Sequence, residues 1–183
     1  MAVRKVLRMG HPVLRRPADP IDPAAIESFE TRLLIADMID TLHDYGGIGL
    51  AAPQVGESVR IAIVEIPESG TRYGDVPEMP LTVFFNPTIT VLETESRGFW
   101  EGCLSVPGLR GFVERPQKVR VDYLDIDGNP RAIELEGFVA TVFQHEFDHL
   151  DGKLYVDRIT DMRLLAFEEE FLRYLAPSSD VLD

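Results

Sequence analysis

Hydrophobic and polar positions recur along this chain with two different periods, and the changes of period mark its elements. Between residues 24 and about 45, Ile26, Phe29 or Leu33, Ala36 and Ile39 recur at helical spacing with charges between them. Gly46-Gly47 then supplies a helix stop. Residues 59–66, VRIAIVEI, are β-branched and apolar and predict a strand, followed by a surface loop over 67–80, where Pro, Gly and charge dominate. LTVFFNP and TITVLET (81–94) predict two strands interrupted at Asn86-Pro87. KVRVDYLD (118–125) and RAIELE (131–136) alternate and flank Asp127-Gly128, the pattern of a hairpin. Helices are predicted over about 138–150 and 161–175, the latter amphipathic through Leu164, Leu165, Phe167, Phe171 and Leu172. An irregular, proline-rich lead-in (1–23) and an acidic tail (176–183) complete the chain. Hairpin-linked strands between terminal helices predict an α+β fold in one domain spanning 1–183, with mainly antiparallel strands around the helix at 138–150.

Composition narrows the function. The 183 residues are 45% hydrophobic and 27% charged, the balance of a globular protein. A single cysteine excludes an internal disulfide and any site needing two cysteines. With 31 acidic against 18 basic residues, the formal charge of −13 argues against binding DNA or an anionic membrane. The basic opening lacks the apolar stretch of a secretion signal, and no run approaches the ~20 apolar residues of a membrane span. These features predict a cytoplasmic protein.

The strongest chemical signal is Gln144-His145-Glu146-Phe147-Asp148-His149, an H-E-x-x-H pattern on a predicted helix. Residues four apart lie about 40° from one another around a helix, so both imidazoles leave one face. That spacing lets two ring nitrogens reach one divalent ion at about 2.0–2.1 Å. Glu146 sits about 100° around from His145, poorly placed as a third ligand and well placed to take a proton from an activated water. Phe138 and Val142 share the histidine side, which predicts burial, and buried imidazoles and carboxylates are costly unless something satisfies them.

Two histidines leave a tetrahedral site one ligand short. A zinc-protease extension would need a third histidine where this chain has Tyr155, although Gly152 matches that pattern. A downstream glutamate, Glu168, Glu169 or Glu170, is a second option, set against their place on a charged helix face. Cys103, in Glu101-Gly102-Cys103-Leu104-Ser105, is a third; with two imidazoles it would leave one open position, the arrangement of a catalytic site. The segment Gly47-Ile48-Gly49-Leu50-Ala51-Ala52-Pro53-Gln54 has neither the lysine of a phosphate-binding loop nor dinucleotide spacing, and suits either a tight turn or a backbone passing close to a substrate.

Together GIGLAAPQ (47–54), EGCLS (101–105) and QHEFDHLDG (144–152) resemble, in order and spacing, the three signature motifs of peptide deformylases. The resemblance covers about residues 4–175. It implies a metal-dependent amidase that removes the formyl group from N-terminal formyl-methionine of nascent chains and releases formate. By this resemblance Cys103, His145 and His149 hold the metal, commonly Fe²⁺, with Zn²⁺, Ni²⁺ or Co²⁺ able to replace it. Glu146 would be the general acid/base, Gln54 and the backbone N–H of Leu104 would meet the oxyanion, and Gly49 would help bind substrate. Ile48 and Val142 are candidate walls of a methionine pocket, and Arg110 falls where the family places an arginine near the peptide groove. Thiolate and imidazole donors by themselves suit Zn²⁺. One departure concerns the C-terminus. Well-known bacterial members carry a basic helix that docks on the ribosome, whereas residues 161–183 hold six acidic residues and two arginines, which argues against docking on ribosomal RNA.

Overall fold

Six antiparallel strands form the sheet of this protein, seen in a computed structural model that describes residues 2–67 and 78–176. The expected loop at 67–80 and the acidic tail at 176–183 fall largely outside the described residues. Strands β1 (Gly49–Ala51), β2 (Ile61–Ile66), β3 (Met79–Cys103), β4 (Val106–Leu124) and β5 (Pro130–Glu136) lie in that order, each paired with the next, and β6 (Leu165–Phe167) pairs with β4. Helices α1 (Phe29–Tyr45), α2 (Gly137–Leu150) and α3 (Glu168–Tyr174) join them. The class is α+β, as the pattern predicts.

Helix α1 starts later than its periodicity suggests, where Ser28 Oγ accepts the Thr31 N–H at 3.2 Å. Its buried face is Thr31, Leu34, Ile35, Met38, Thr41 and Leu42, while Phe29 is 74% exposed. The stripe was masked in sequence by Asp37 and Thr41. Both are buried because the lead-in binds them: Asp37 accepts from Ala2 N and Arg4 Nε, and Thr41 Oγ1 from Arg4 N.

The expected break at Asn86-Pro87 is absent; β3 runs through it. The pairing register with β4 shifts between Phe85 and Thr88, and Asn86 takes a positive φ of 48° there. Its amide exchanges two bonds with the Ile21 backbone, at 2.9 and 2.8 Å, so the irregularity pins the lead-in to the sheet. Strand β4 is also longer than the expected 118–125. Glycines and prolines hide the rest of the β3–β4 ribbon: a Cβ on Gly98 would lie 2.0 Å from the Phe112 ring, so glycine there makes room for an aromatic on the facing strand.

The expected helix over 161–175 is instead a short 3₁₀ turn, strand β6 and a seven-residue helix. Pairing of Leu109–Gly111 with Leu165–Phe167 takes backbone that periodicity assigned to the helix. Phe167 and Leu172 are consequently exposed, and Phe171 packs on Trp100 with ring centroids 4.9 Å apart.

Helix α2 matches its prediction and lies against the sheet. Val139, Val142, Phe143, Phe147 and Leu150 pack with Val64, Phe84, Val119 and Val121 in one apolar cluster. Phe143 meets Phe84 edge-on at 5.0 Å. This packing fixes the rotation of α2 and thereby aims its histidines at the closed end of the β3–β4 hairpin.

Candidate active site

His145 and His149 leave α2 one turn apart, and Cys103 ends β3 just before the Leu104-Ser105 turn. One donor atom from each of the three falls in a group spanning no more than 4.8 Å. Cys103 Sγ lies 3.3 Å from His149 Nε2, the separation expected of two donors at about 2.0–2.3 Å from one ion. Glu168, Glu169 and Glu170 are outside this group.

The protonation of Cys103 suits a cation, whereas His145 would have to give up a proton to one. Burial pushes the Cys103 thiol up, but the charge of His149 and hydrogen bonds to both imidazoles outweigh it and draw the pKa down to about 5. The thiolate, the ligand form, therefore prevails at neutral pH. Burial pushes His145 down, and Cys103 and Glu101 together hold it well above its ordinary value. A metal ion would displace that proton. The donor set fits a divalent ion.

Sequence reasoning assigned no role to Glu101. Its Oε2 lies 2.7 Å from His145 Nδ1, and it is almost fully buried. Arg115 donates to Glu101 from Nε (2.7 Å) and Nη2 (3.1 Å) and to Asp148 Oδ2 from Nη1 (2.8 Å). Arg158 closes the network on the other side of Asp148. Burial would raise the Glu101 carboxyl pKa, yet the bonds from His145 and Arg115 hold it below its usual value. An ionised Glu101 keeps the proton on Nδ1 and leaves Nε2 for a metal. Tyr155 stacks on the same ring, with centroids 6.0 Å apart and 19° between planes. The sequence predicts no strand over 101–103, and the pairing register shifts between Glu101 and Cys103, so no local alternation reports this contact.

Glu146 is buried beside the triad, and its Oε2 has no protein partner among the described residues. Burial, with Cys103 and Glu101 adding to it, raises its pKa against the opposing pull of His145 and His149. Gly49 is tied to this carboxylate. A Cβ there would come within 2.5 Å of Glu146 Cδ and Oε1, so glycine at 49 is what lets Glu146 occupy its place. The Gln54 amide is oriented at both ends. Its Oε1 accepts from Ala51 N at 2.8 Å, which turns Nε2 toward Ser105 Oγ at 3.2 Å and Cys103 Sγ at 3.7 Å. The side chain of Leu104 packs at the margin of the cluster containing Leu42, which places its backbone at the turn beside Cys103.

A cleft of about 870 Å³ opens onto these groups. Ile48, Phe138 and Val142 supply apolar walls and Gln54 a polar one. Arg110 also lines it, buried rather than exposed, with Nε 3.0 Å and Nη2 2.5 Å from Glu168 Oε1. His11 and His43 stand apart from the triad: His11 lines the cleft from its rim and accepts the Val13 N–H, and His43 Nε2 lies 2.5 Å from Glu65 Oε2.

Two histidines and a glutamate on one buried helix, joined by a hairpin thiolate at the head of a cleft, define a hydrolytic mononuclear metal site. The polypeptide deformylase family model matches residues 3–164, and the chain belongs to that family. It is 43% identical over 170 residues to a peptide deformylase of Leptospira biflexa, covering 93% of this chain and 95% of that one. It is likewise 43% identical to peptide deformylase 2 of Pseudomonas syringae pv. tomato, over 97% and 99% of the two chains. Among solved structures, the class I type b peptide deformylase of Acinetobacter baumannii with Met-Ala-Ser bound superposes with a TM-score of 0.82 at 40% identity, covering 86% of this chain and 98% of that one. The actinonin complex of the Synechococcus elongatus peptide deformylase has a TM-score of 0.76 at 36% identity, covering 86% and 79%.

The Glu101 contact generates a test. Glu101→Gln should lower metal affinity by about 10- to 100-fold in chelator competition, because His145 loses the carboxylate that orients it. Unchanged affinity in a folded variant would mean that Tyr155 and the helix orient the ring unaided.

Proposed function

We propose that this chain hydrolyses the formyl group from N-terminal formyl-methionine of nascent polypeptides through one divalent ion held by Cys103, His145 and His149. The observation that carries this reading is the convergence of thiolate and imidazoles at the head of the cleft, with the Glu146 carboxylate seated beside them. Residues 1–183 act on this reading as one catalytic domain. Fe²⁺ is the proposed resident ion, on the strength of the family, with Zn²⁺, Ni²⁺ or Co²⁺ as substitutes that the same donors accept.

When bound, the ion supplies Lewis acidity, polarising the formyl carbonyl and lowering the pKa of a water. Glu146 takes the proton of the attacking water and returns it to the departing amine, giving formate and a free methionine amino group. Its raised pKa brings it nearer neutrality, which eases both transfers. Gln54 Nε2, already turned toward Cys103 by the Ala51 N–H, donates to the developing oxyanion together with the Leu104 N–H. Gly49 serves substrate binding on this reading as well as seating Glu146. Ile48, Val142 and Phe138 receive the methionine side chain, and Arg110, held by Glu168, faces the peptide that follows it. A formyl hydrogen takes almost no space, so a narrow site excludes larger acyl groups by steric conflict.

The substrate proposed here is a formyl-methionyl peptide, and the Met-Ala-Ser complex of the Acinetobacter baumannii relative supports it. The place of action proposed is the cytoplasm, beside emerging chains. Helix α3 begins Glu168-Glu169-Glu170, a poor surface for ribosomal RNA, so encounter with nascent chains would not run through it. No helix among the described residues is long and apolar enough to cross a membrane.

Formate release under anaerobic conditions tests the reading: formyl-Met-Ala-Ser should be cleaved and acetyl-Met-Ala-Ser should not. Glu146→Ala should keep its metal and lose at least about 10²-fold in kcat. Loss of the ion from a folded Glu146→Ala protein would make Glu146 a ligand instead. Gln54→Ala should lower kcat by about 10²–10³ with metal retained and KM little changed. A rate within about threefold of wild type would leave Gln54 as a turn residue after Pro53.

A further inference from the structure

The N-terminal lead-in crosses the site as a strap. Leu7 N donates to Gln54 O at 2.8 Å and Met9 N to Ser105 O at 2.7 Å. Those anchors fix the strap to the end of the 47–54 segment and to the turn that follows Cys103, and its residues from Lys5 to Pro12 furnish much of one wall of the cleft. Lys5 and Arg8 are the cations on that wall, both exposed.

Several neighbouring cations are paired with carboxylates, although Arg16 has no ion pair among the described residues. Arg4 is paired with Asp37 and Glu57, Arg15 with Asp157, and Arg110 across the cleft with Glu168. Lys5 and Arg8 have no ion pair among the described residues, in a chain carrying 31 acidic side chains. The acids that line the cleft are committed elsewhere. Glu101 is bonded to His145 and Arg115, Glu146 is buried beside the triad, and Glu168 holds Arg110. The strap wall is therefore net positive, although the whole molecule is strongly negative. At physiological salt the screening length is about 8 Å, so a peptide lying in the cleft responds to this wall rather than to the distant net charge.

We propose that Lys5 and Arg8 make the cleft selective for formyl-methionyl chains carrying acidic side chains among the residues that directly follow methionine. This inference rests on the deformylase reading and adds a substrate preference to it. An extended peptide advances about 3.3 Å per residue, so successive residues of a chain anchored by its methionine sweep along the cleft. A carboxylate on one of them is drawn to the strap, whereas a lysine there is repelled. Both cations are solvated, so each contact is worth little alone and depends on salt.

The test compares kcat/KM for formyl-Met-X-Y-Z peptides with amidated C-termini, carrying one Asp or one Lys at X, Y or Z. For the metal-loaded wild-type protein at low salt, Asp should be preferred to Lys by about three- to tenfold at one position or more, with the ratio shrinking toward unity at high salt. Lys5→Gln/Arg8→Gln should remove the preference, and Lys5→Glu/Arg8→Glu should invert it. Efficient cleavage of the all-alanine peptide with equal use of Asp and Lys at every position would overturn the charge reading alone. So would a preference that survives in the double variants, or one that appears only when the peptide ends in a free carboxylate. No cleavage of the all-alanine peptide by the metal-loaded wild type would overturn the deformylase reading and this inference with it.

Discussion

Helix α2 buries two imidazoles, a glutamate and an aspartate, and much of the surrounding structure exists to satisfy them. An unpaired buried charge costs several kcal/mol, of the order of the whole stability of a small domain. The solution is a chain of partners. Arg115 sits between Glu101 and Asp148, Arg158 shares Asp148, and Glu101 takes the Nδ1 side of His145. What this network leaves open is the inner side of the triad: His145 Nε2, His149 Nε2 and the Cys103 thiolate, which a divalent cation satisfies at once. His149 Nδ1 and Glu146 Oε2 remain without protein partners among the described residues. In Glu146 that incomplete satisfaction accompanies a raised pKa, the property a proton carrier needs.

The fold delivers this arrangement through one long hairpin. Strands β3 and β4 pair from Phe85 with Leu124 to Cys103 with Val106; Arg115 lies opposite Arg97, four residues along β3 from Glu101, and its long side chain spans that offset to bond Glu101. Apolar packing of α2 on the sheet sets the histidines from one side. The N-terminal strap closes the cleft from another, bonded to the backbones of Gln54 and Ser105, and the β6–α3 segment supplies Glu168 to Arg110. Three distant parts of the chain thus frame one site, with backbone hydrogen bonds setting the strap and charge pairs setting the opposite wall.

How much of this was legible depended on the range of the signal. The helix bearing His145 and His149 was readable because periodicity, spacing and apolar neighbours all lie within 14 residues. Donor chemistry made Cys103 one of several candidate third ligands, and only motif resemblance singled it out and joined Gln54 to the site, since no local pattern reports proximity across the sheet. Asp37 and Thr41 hid the buried face of α1: Asp37 is satisfied by residues 2–4, and Thr41 accepts from Arg4 N while donating to the Asp37 carbonyl. Asn86-Pro87 read as a break because the bonds that make the bulge tolerable run to Ile21. The C-terminal helix is shorter than its periodicity predicts for the same reason: pairing of 165–167 with β4 is a tertiary fact that overrides amphipathic periodicity. For the segment 47–54 the sequence left a tight turn and a backbone passing close to a substrate both open; in the structure the group nearest a Cβ at Gly49 is the Glu146 side chain.

The central claim is that one thiolate and two imidazoles hold a single ion on which hydrolysis depends. X-ray absorption at the metal edge of anaerobically purified protein, taken with metal stoichiometry and formate release from the same sample, tests it most directly. The account predicts one ion per chain, one sulfur neighbour at about 2.3 Å with two nitrogens at about 2.0–2.1 Å, and activity proportional to occupancy. An ion without a sulfur neighbour, or formate release undiminished after the metal is stripped, would contradict it.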